Sequence, residues 1–267
     1  MALKAADPSM DSFRELVVEK LGVPVPTFHT RWLMGQLVVL SRALNFSSVE
    51  LLIDGLREES AGSDLWSEVA HAITVHETHW LRNAAALKTA VRSFGSDVAQ
   101  LRILSLGCAY GQEAYSAYLV ARQYQPEASI SVVGVDLSAI CVENARRGLF
   151  RITDDFEALL PLLREEDGFA EGECYQFSEA IRGRVTFCQG NLMDPYVAKQ
   201  GAFDLILCQN CLTYYDPETR TEVSANLVNS LDAGGLLVFA GAELMGICPS
   251  GAVPLSDEWT QILVKGF

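Results

Sequence analysis

Beyond Gly95 short apolar runs alternate with helix-length amphipathic stretches, and that alternation leaves few folds open to the chain. The runs are Arg102–Leu106, Ile130–Val135, Val185–Gln189, Phe203–Cys208 and Leu236–Ala240, and helical periodicity fills Gln112–Tyr124, Ser138–Arg147 and Pro217–Leu231. Short continuous apolar runs are what strands buried on both faces look like, and the helices between them act as crossovers. The pattern predicts an α/β fold with a parallel sheet covered by helices. Residues 151–184 break it: this acidic stretch with Gly168, Gly172 and Gly183 lacks a clear crossover helix and is expected to form a small inserted subdomain.

The first run enters the turn Gly107-Cys108-Ala109-Tyr110-Gly111, and a helix leaves it at Gln112. Two glycines there allow the backbone to approach a ligand closely. The second run ends in Asp136, where a carboxylate at a strand tip accepts hydrogen bonds from ribose hydroxyls. The turn matches neither GxGxxG nor GxxxxGK[ST], and Glu113 places negative charge where a phosphate would otherwise bind. The expected ligand therefore carries a ribose and no phosphate, and S-adenosylmethionine is the common example. Taken singly, Gly107 and Gly111 also suit a tight turn in any α/β domain, Asp136 also suits a helix cap, and Arg82 also suits a solvated helix face.

From Phe13 to about Phe94 the texture differs, with apolar residues recurring three and four apart, as in Leu33, Leu37, Leu40 and Leu44. Ser47 or Ser48, followed by Glu50, is a helix-start signal. The expected organisation is a helical N-terminal domain over 1–95 and a cofactor-binding domain over 96–267, with the insert at about 151–184.

Charge narrows the partners. The chain of 267 residues carries a net charge of −14, which argues against nucleic acid, whose affinity comes largely from Lys and Arg neutralising phosphates. The charge is uneven: residues 1–99 hold 9 basic and 12 acidic side chains, a balance of −3, and the remainder carries −11. An acidic partner is expected to meet the first part. No signal-peptide pattern opens the chain and its apolar runs are too short for a bilayer, so the expected location is the cytoplasm, without membrane insertion. Seven scattered cysteines suit reduced thiols. Cys208-x2-Cys211 has no second pair at ligand spacing, and His71, His76 and His79 form no HExxH pattern, so no metal is expected.

From about Ile73 to Ala242 the chain resembles, block by block, the CheR family of chemoreceptor methyltransferases. Gly107-Cys108-Ala109-Tyr110-Gly111-Gln112-Glu113-Ala114-Tyr115-Ser116 is similar to the family's GCATGEEPYS, and Val135-Asp136-Leu137-Ser138 matches its acidic strand tip. Phe187-x3-Asn191-Leu192 and the segment Phe203 to Asp216, which includes Gln209-Asn210-Cys211-Leu212-Thr213-Tyr214, resemble two later motifs. Gly241-Ala242-Glu243 fits the closing strand. Ahead of these, Thr74 to Asn83 is similar to TxNETxFFRE, placed on a helix linking the two domains.

The resemblance implies a Rossmann-like class I methyltransferase sheet. It also implies transfer of methyl from S-adenosylmethionine, with S-adenosylhomocysteine as product, to glutamates on the cytoplasmic helical coiled coil of a chemoreceptor, by a monomer. Carried over residue by residue, His76, Thr78, Arg82, Gly107, Glu113, Asp136, Asn191, Leu192, Gln209 and Asn210 would line the cofactor pocket, while Arg82 and Tyr214 would act at the reacting groups. The helical domain would recognise the receptor, and the insert would replace a β-subdomain that docks a receptor tail in some members. His76 stands where the family has Asn, Trp80-Leu81 where it has two Phe, and Gln209 where it has Arg. The Gln209 change removes a cation near the cofactor pocket and predicts altered cofactor affinity before lost activity, and the expected protein belongs to a divergent branch such as the one serving pili. Two other readings stay open: a cofactor-binding module that docks receptors without turnover, and a small-molecule methyltransferase with the helical domain as lid.

Overall fold

The computed structural model describes residues 8–25, 30–193, 202–241, 243 and 249–266, and for Tyr214 its backbone. The chain divides into two compact units, one of residues up to Val75 with Ser138–Ile140, the other of His76–Leu137 and the residues from Cys141 onward. Among the described residues no helix is long and apolar enough to cross a membrane.

The first unit contains the helices α1 (Pro8–Leu21), α2 (Thr30–Ala43), α3 (Val49–Glu58) and α4 (Asp64–Ile73). The periodic leucines of α2 do what their spacing predicts: Leu33, Leu37 and Leu40 are buried with Phe13, Leu52, Leu56 and Trp66 in one core. Ser48 caps α3 by accepting from the Leu51 N–H, and Ser63 caps α4 by accepting from the Trp66 N–H. The Trp66 indole N–H, deep in this core, donates to the Leu56 carbonyl at 3.1 Å, so the ring is buried without an orphan donor.

In the second unit, α5 (Ala84–Ser93) precedes the strands and helices β1 (Gln100–Leu106), α6 (Gln112–Tyr124), β2 (Ser129–Asp136) and α7 (Ala139–Arg147). The insert follows as β3 (Leu149–Arg151), α8 (Asp154–Glu157), β4 (Gly168–Glu171), β5 (Cys174–Phe177) and α9 (Glu179–Arg182). The main sheet then resumes with β6 (Val185–Gln189), β7 (Phe203–Cys208), α10 (Pro217–Asn229), β8 (Leu231–Phe239), β9 (Ala252–Pro254) and β10 (Ile262–Lys265). The seven-stranded sheet runs β6-β2-β1-β7-β8-β10-β9, with the first five strands parallel. Strands β10 and β9 are antiparallel additions.

This order decides where a ligand can bind. From β1 the chain moves outward to β2 and β6, then returns to β7 on the other side of β1 and continues to β8. The reversal opens a crevice at the C-terminal ends of β1 and β7, the usual ligand position in open α/β sheets. The insert is indeed a small unit, an antiparallel sheet in the order β3-β5-β4. Aromatic packing fastens it to the body: Trp80 meets Phe150 edge-on at 4.7 Å and Phe156 at 5.3 Å, and Tyr115 of α6 stacks on Phe177 at 4.5 Å.

The stretch from Thr74 to Asn83 corrects an expectation. It is not helical: Thr74 is extended, and Leu81 and Asn83 both adopt left-handed backbone with φ of +52°. The reason is competition for donors. The Trp80 N–H is taken by Asp155 and the Leu81 N–H by Ser116, so neither is available to a carbonyl four residues back.

Candidate active site

The turn after β1 is shaped by three left-handed residues, Gly107 (φ +61°), Ala109 (+45°) and Gly111 (+96°). Glycine is required at 107 for a second reason, because a β-carbon there would collide with the Cys211 sulfur on the turn after β7. At 111 a β-carbon would press on Ala145 and Phe187 at 3.0 Å. The two turns are thus packed together with backbone exposed between side chains, the arrangement that lets main chain approach a ligand.

Asp136, buried at the tip of β2, accepts from the Ala109 N–H at 2.8 Å. The neighbouring Cys108 N–H donates to the Val135 carbonyl at 3.1 Å. The carboxylate foreseen as a ribose acceptor therefore also braces the glycine turn. This bond runs to the β1 turn and is not a cap on its own helix.

Glu113 opens α6 and uses both carboxyl oxygens. The Ser105 hydroxyl donates to Oε1 at 2.7 Å and the Gln209 amide donates to Oε2 at 2.9 Å. Gln209 in turn accepts from the Asn83 amide at 2.9 Å. One hydrogen-bonded row, Asn83–Gln209–Glu113–Ser105, therefore joins the segment before α5, the end of β7, the start of α6 and β1. Burial pushes the Glu113 carboxyl up from 4.5 to about 7, against the opposing pull of Ser105, Gln209 and the positive charge of Arg82.

Arg82 itself donates to the Glu77 carbonyl at 3.0 Å. Thr78 and Gln112 line a hollow of about 230 Å³ together with Arg151, Thr153 and Asp155. His76 stands on the other side of the glycine turn, its Nδ1 3.2 Å from the Cys141 sulfur and its ring edge-on to Tyr110 at 5.9 Å. Burial, followed by Cys141 and then Asp136, raises the Tyr110 hydroxyl above its ordinary value.

Asn210 follows Gln209 in left-handed conformation, φ +62°, with its N–H donated to Glu243 at 2.7 Å. Asn191 accepts from the Met193 N–H at 2.9 Å, and with Leu192 it lies half-buried after β6. Tyr214 ends the short 3₁₀ turn Leu212–Tyr214, and its side chain lies outside the described residues. Cys208 and Cys211 are free thiols raised above their usual range: for Cys208 the hydrogen bond with Cys211 pulls down, and burial together with the charges of Glu243 and Glu113 outweighs it, and for Cys211 that bond and burial both push up, so they behave as packed thiols.

Three groups escape a reading of sequence alone. Ser105 is a buried hydroxyl between the apolar residues Ile103, Leu104 and Leu106 of β1, which is a visible signal. Asn83 precedes α5 yet makes no capping bond, its amide being committed to Gln209. Glu243 is a buried acid just past β8, noticed only as part of a closing motif.

The residues fit a ligand rich in donors. Gln112 Oε1, at the first residue of α6, is buried without a hydrogen-bond partner. An orphan acceptor suits a ligand that offers N–H or O–H groups. A sheet that reverses at β1, with Glu113 and Asp136 buried beside the turn that follows it, defines the class as an open α/β domain with its ligand site at the ends of β1 and β7.

Residues 76–250 match the family model described as CheR methyltransferase, SAM binding domain. Among curated relatives, Chemotaxis protein methyltransferase 1 of Pseudomonas aeruginosa is 26% identical over 263 residues, covering 92% of this chain and 94% of that one. Chemotaxis protein methyltransferase 2 of Vibrio cholerae is 28% identical, covering 71% and 69%, and the Vibrio parahaemolyticus chemotaxis protein methyltransferase is 31% identical, covering 72% and 74%. The chain belongs to the CheR methyltransferase family. It is an S-adenosylmethionine-dependent protein-glutamate methyltransferase.

Proposed function

We propose that this chain methylates glutamate side chains on the cytoplasmic coiled coil of a chemoreceptor, working in the cytoplasm as a monomer, with the residues around the β1 and β7 turns as its cofactor site. The observation that carries the assignment of residues is the row Asn83–Gln209–Glu113–Ser105, which gathers four elements at the crevice where the sheet reverses.

Bound S-adenosylmethionine supplies a methyl group already activated on a sulfonium sulfur, which passes to a glutamate oxygen while the S–C electron pair returns to sulfur. The chain's own task is alignment and exclusion of water more than proton transfer. In this reading Asp136 receives ribose hydroxyls while its bond to Ala109 holds it in place. Glu113, Gln209 and Asn210 flank the cofactor, His76, Thr78, Asn191 and Leu192 complete the pocket walls, and Gly107 admits the close approach. Arg82 pairs a carboxylate through its planar guanidinium, and Tyr214 orients the reacting groups through its hydroxyl. The row also accounts for the Gln209 departure: an amide both donates and accepts, so it links Asn83 to Glu113, whereas a guanidinium has no acceptor to offer Asn83. Residues 1–95 take the role of receptor recognition. The departures at His76, Trp80-Leu81 and Gln209 favour a divergent branch such as the one serving pili.

Incubation with methyl-labelled cofactor and receptor fragments from flagellar and pilus arrays tests this. Base-labile label that disappears in Glu→Gln receptor variants is the expected result, and preference for the pilus fragment supports the branch. Label on an amine, or cofactor binding without transfer to any receptor, sinks it.

A further inference from the structure

Glu243 is fully buried just past β8. Among the described residues no recorded ion pair includes it, which is an expensive state for a carboxylate. What it does have is backbone donors: Oε2 accepts from Asn210 at 2.7 Å and from Ala240 at 3.1 Å, and Oε1 accepts from Leu212 at 2.7 Å. Two of these N–H groups belong to the turn after β7, where the chain has left the sheet ladder. Asn210 there holds a left-handed conformation, which Asn tolerates better than other residues with side chains.

The clamped turn is coupled to the site on both sides. Gln209, one residue before Asn210, holds Glu113. Cys211, between the two clamped residues, lies against the Gly107 position and 3.1 Å from the Leu106 carbonyl. A shift of the β7 turn therefore displaces the β1 turn and the Glu113 row together. An apolar side chain at 243 would fill the same space, leave the Leu212 N–H buried without a partner and take from the Asn210 N–H its acceptor.

We infer that Glu243 is a positioning residue for methyl transfer: its carboxylate ties the turn after β7 to the end of β8, and so sets the placement of Gln209, Asn210 and the 3₁₀ turn that carries Tyr214. The inference rests on the proposed cofactor site. Burial raises the Glu243 carboxyl, opposed by the N–H groups it accepts from, in keeping with a group used for its acceptors.

Calorimetric titration of the full chain with S-adenosylhomocysteine, together with turnover on receptor, separates placement from folding. E243Q keeps the shape and turns one acceptor into a donor facing an N–H. It should slow turnover roughly 10- to 100-fold, as misplacement of reacting groups by about 1 Å does, and weaken binding alongside. V223A, which truncates a buried residue of α10, should lower Tm while leaving Kd and turnover at their wild-type values, which separates lost stability from misplacement. E243D keeps the charge on a shorter arm; it should bind with intermediate affinity and serves if E243Q does not fold. Wild-type Kd and turnover in E243Q, or an equal loss of affinity in V223A at matched Tm, overturns the inference. N210G removes the Asn side chain and relieves its backbone. Wild-type affinity in N210G with weakened E243Q removes Asn210 from the proposed site and leaves the clamp standing through Gln209.

Discussion

Glu113 shows how one carboxyl group can join structure to chemistry. Its raised value, about 7 against 4.5, means that the folded chain holds the proton more tightly than the unfolded chain. Its contribution to stability is therefore fully present below pH 4.5 and is lost as the pH rises through 7. Thermal unfolding at a series of pH values should show a steeper decline across that window in the wild-type protein than in E113Q. Equal slopes in the two proteins would contradict the placement of this group. A second residue-scale outcome concerns Gly107. G107A meets both a left-handed φ and the Cys211 sulfur, and should lose about 1–3 kcal/mol from backbone strain alone, read from urea unfolding. Pairing it with C211A should restore only the part due to the collision.

At the level of elements, the segment from Thr74 to Asn83 is the instructive case. Its motif was legible, and its conformation was not, because the donors that end helical pairing are claimed by Asp155 and Ser116, 75 and 35 positions away. The same segment delivers Trp80 to the aromatic cluster that fastens the insert to the body. W80A leaves a cavity among Phe150, Phe156 and Phe177, and should cost about 3–5 kcal/mol in urea unfolding, with loss of near-ultraviolet dichroism. An effect below about 1 kcal/mol, the scale of an exposed side chain, would mean that the ring is not packed as described. Most helices and strands with strong internal periodicity were readable to within a residue or two, but β8, expected at Leu236–Ala240, begins at Leu231, where the helix before it was expected to end. Helix α6 at Gln112–Tyr124 and strand β7 at Phe203–Cys208 have the expected bounds, since each is encoded by neighbours inside its own window.

For the molecule as a whole, binding and folding are linked through the second unit, which contains every proposed cofactor residue. S-adenosylhomocysteine at a hundredfold over its Kd should stabilise the folded state by about 2.7 kcal/mol, seen as a shift in the urea midpoint. A ligand that leaves the midpoint unchanged does not bind the native fold. The amino-acid sequence by itself determined the alternation of the parallel strands with their helices, the glycines of the β1 turn, the acid at the tip of β2 and the membership in the CheR family, while the strands of the insert and the antiparallel β9 and β10 were not legible in it. Each of these is written in short windows, where periodicity, backbone freedom and motif spacing act on adjacent residues. Only the tertiary structure decided that Gln209 stands between Asn83 and Glu113, partners 126 and 96 positions away, and that Glu243 closes on the turn after β7. A buried polar group can be satisfied by any complementary partner. Which partner it meets depends on which strands the topology makes neighbours, and no local pattern records that choice.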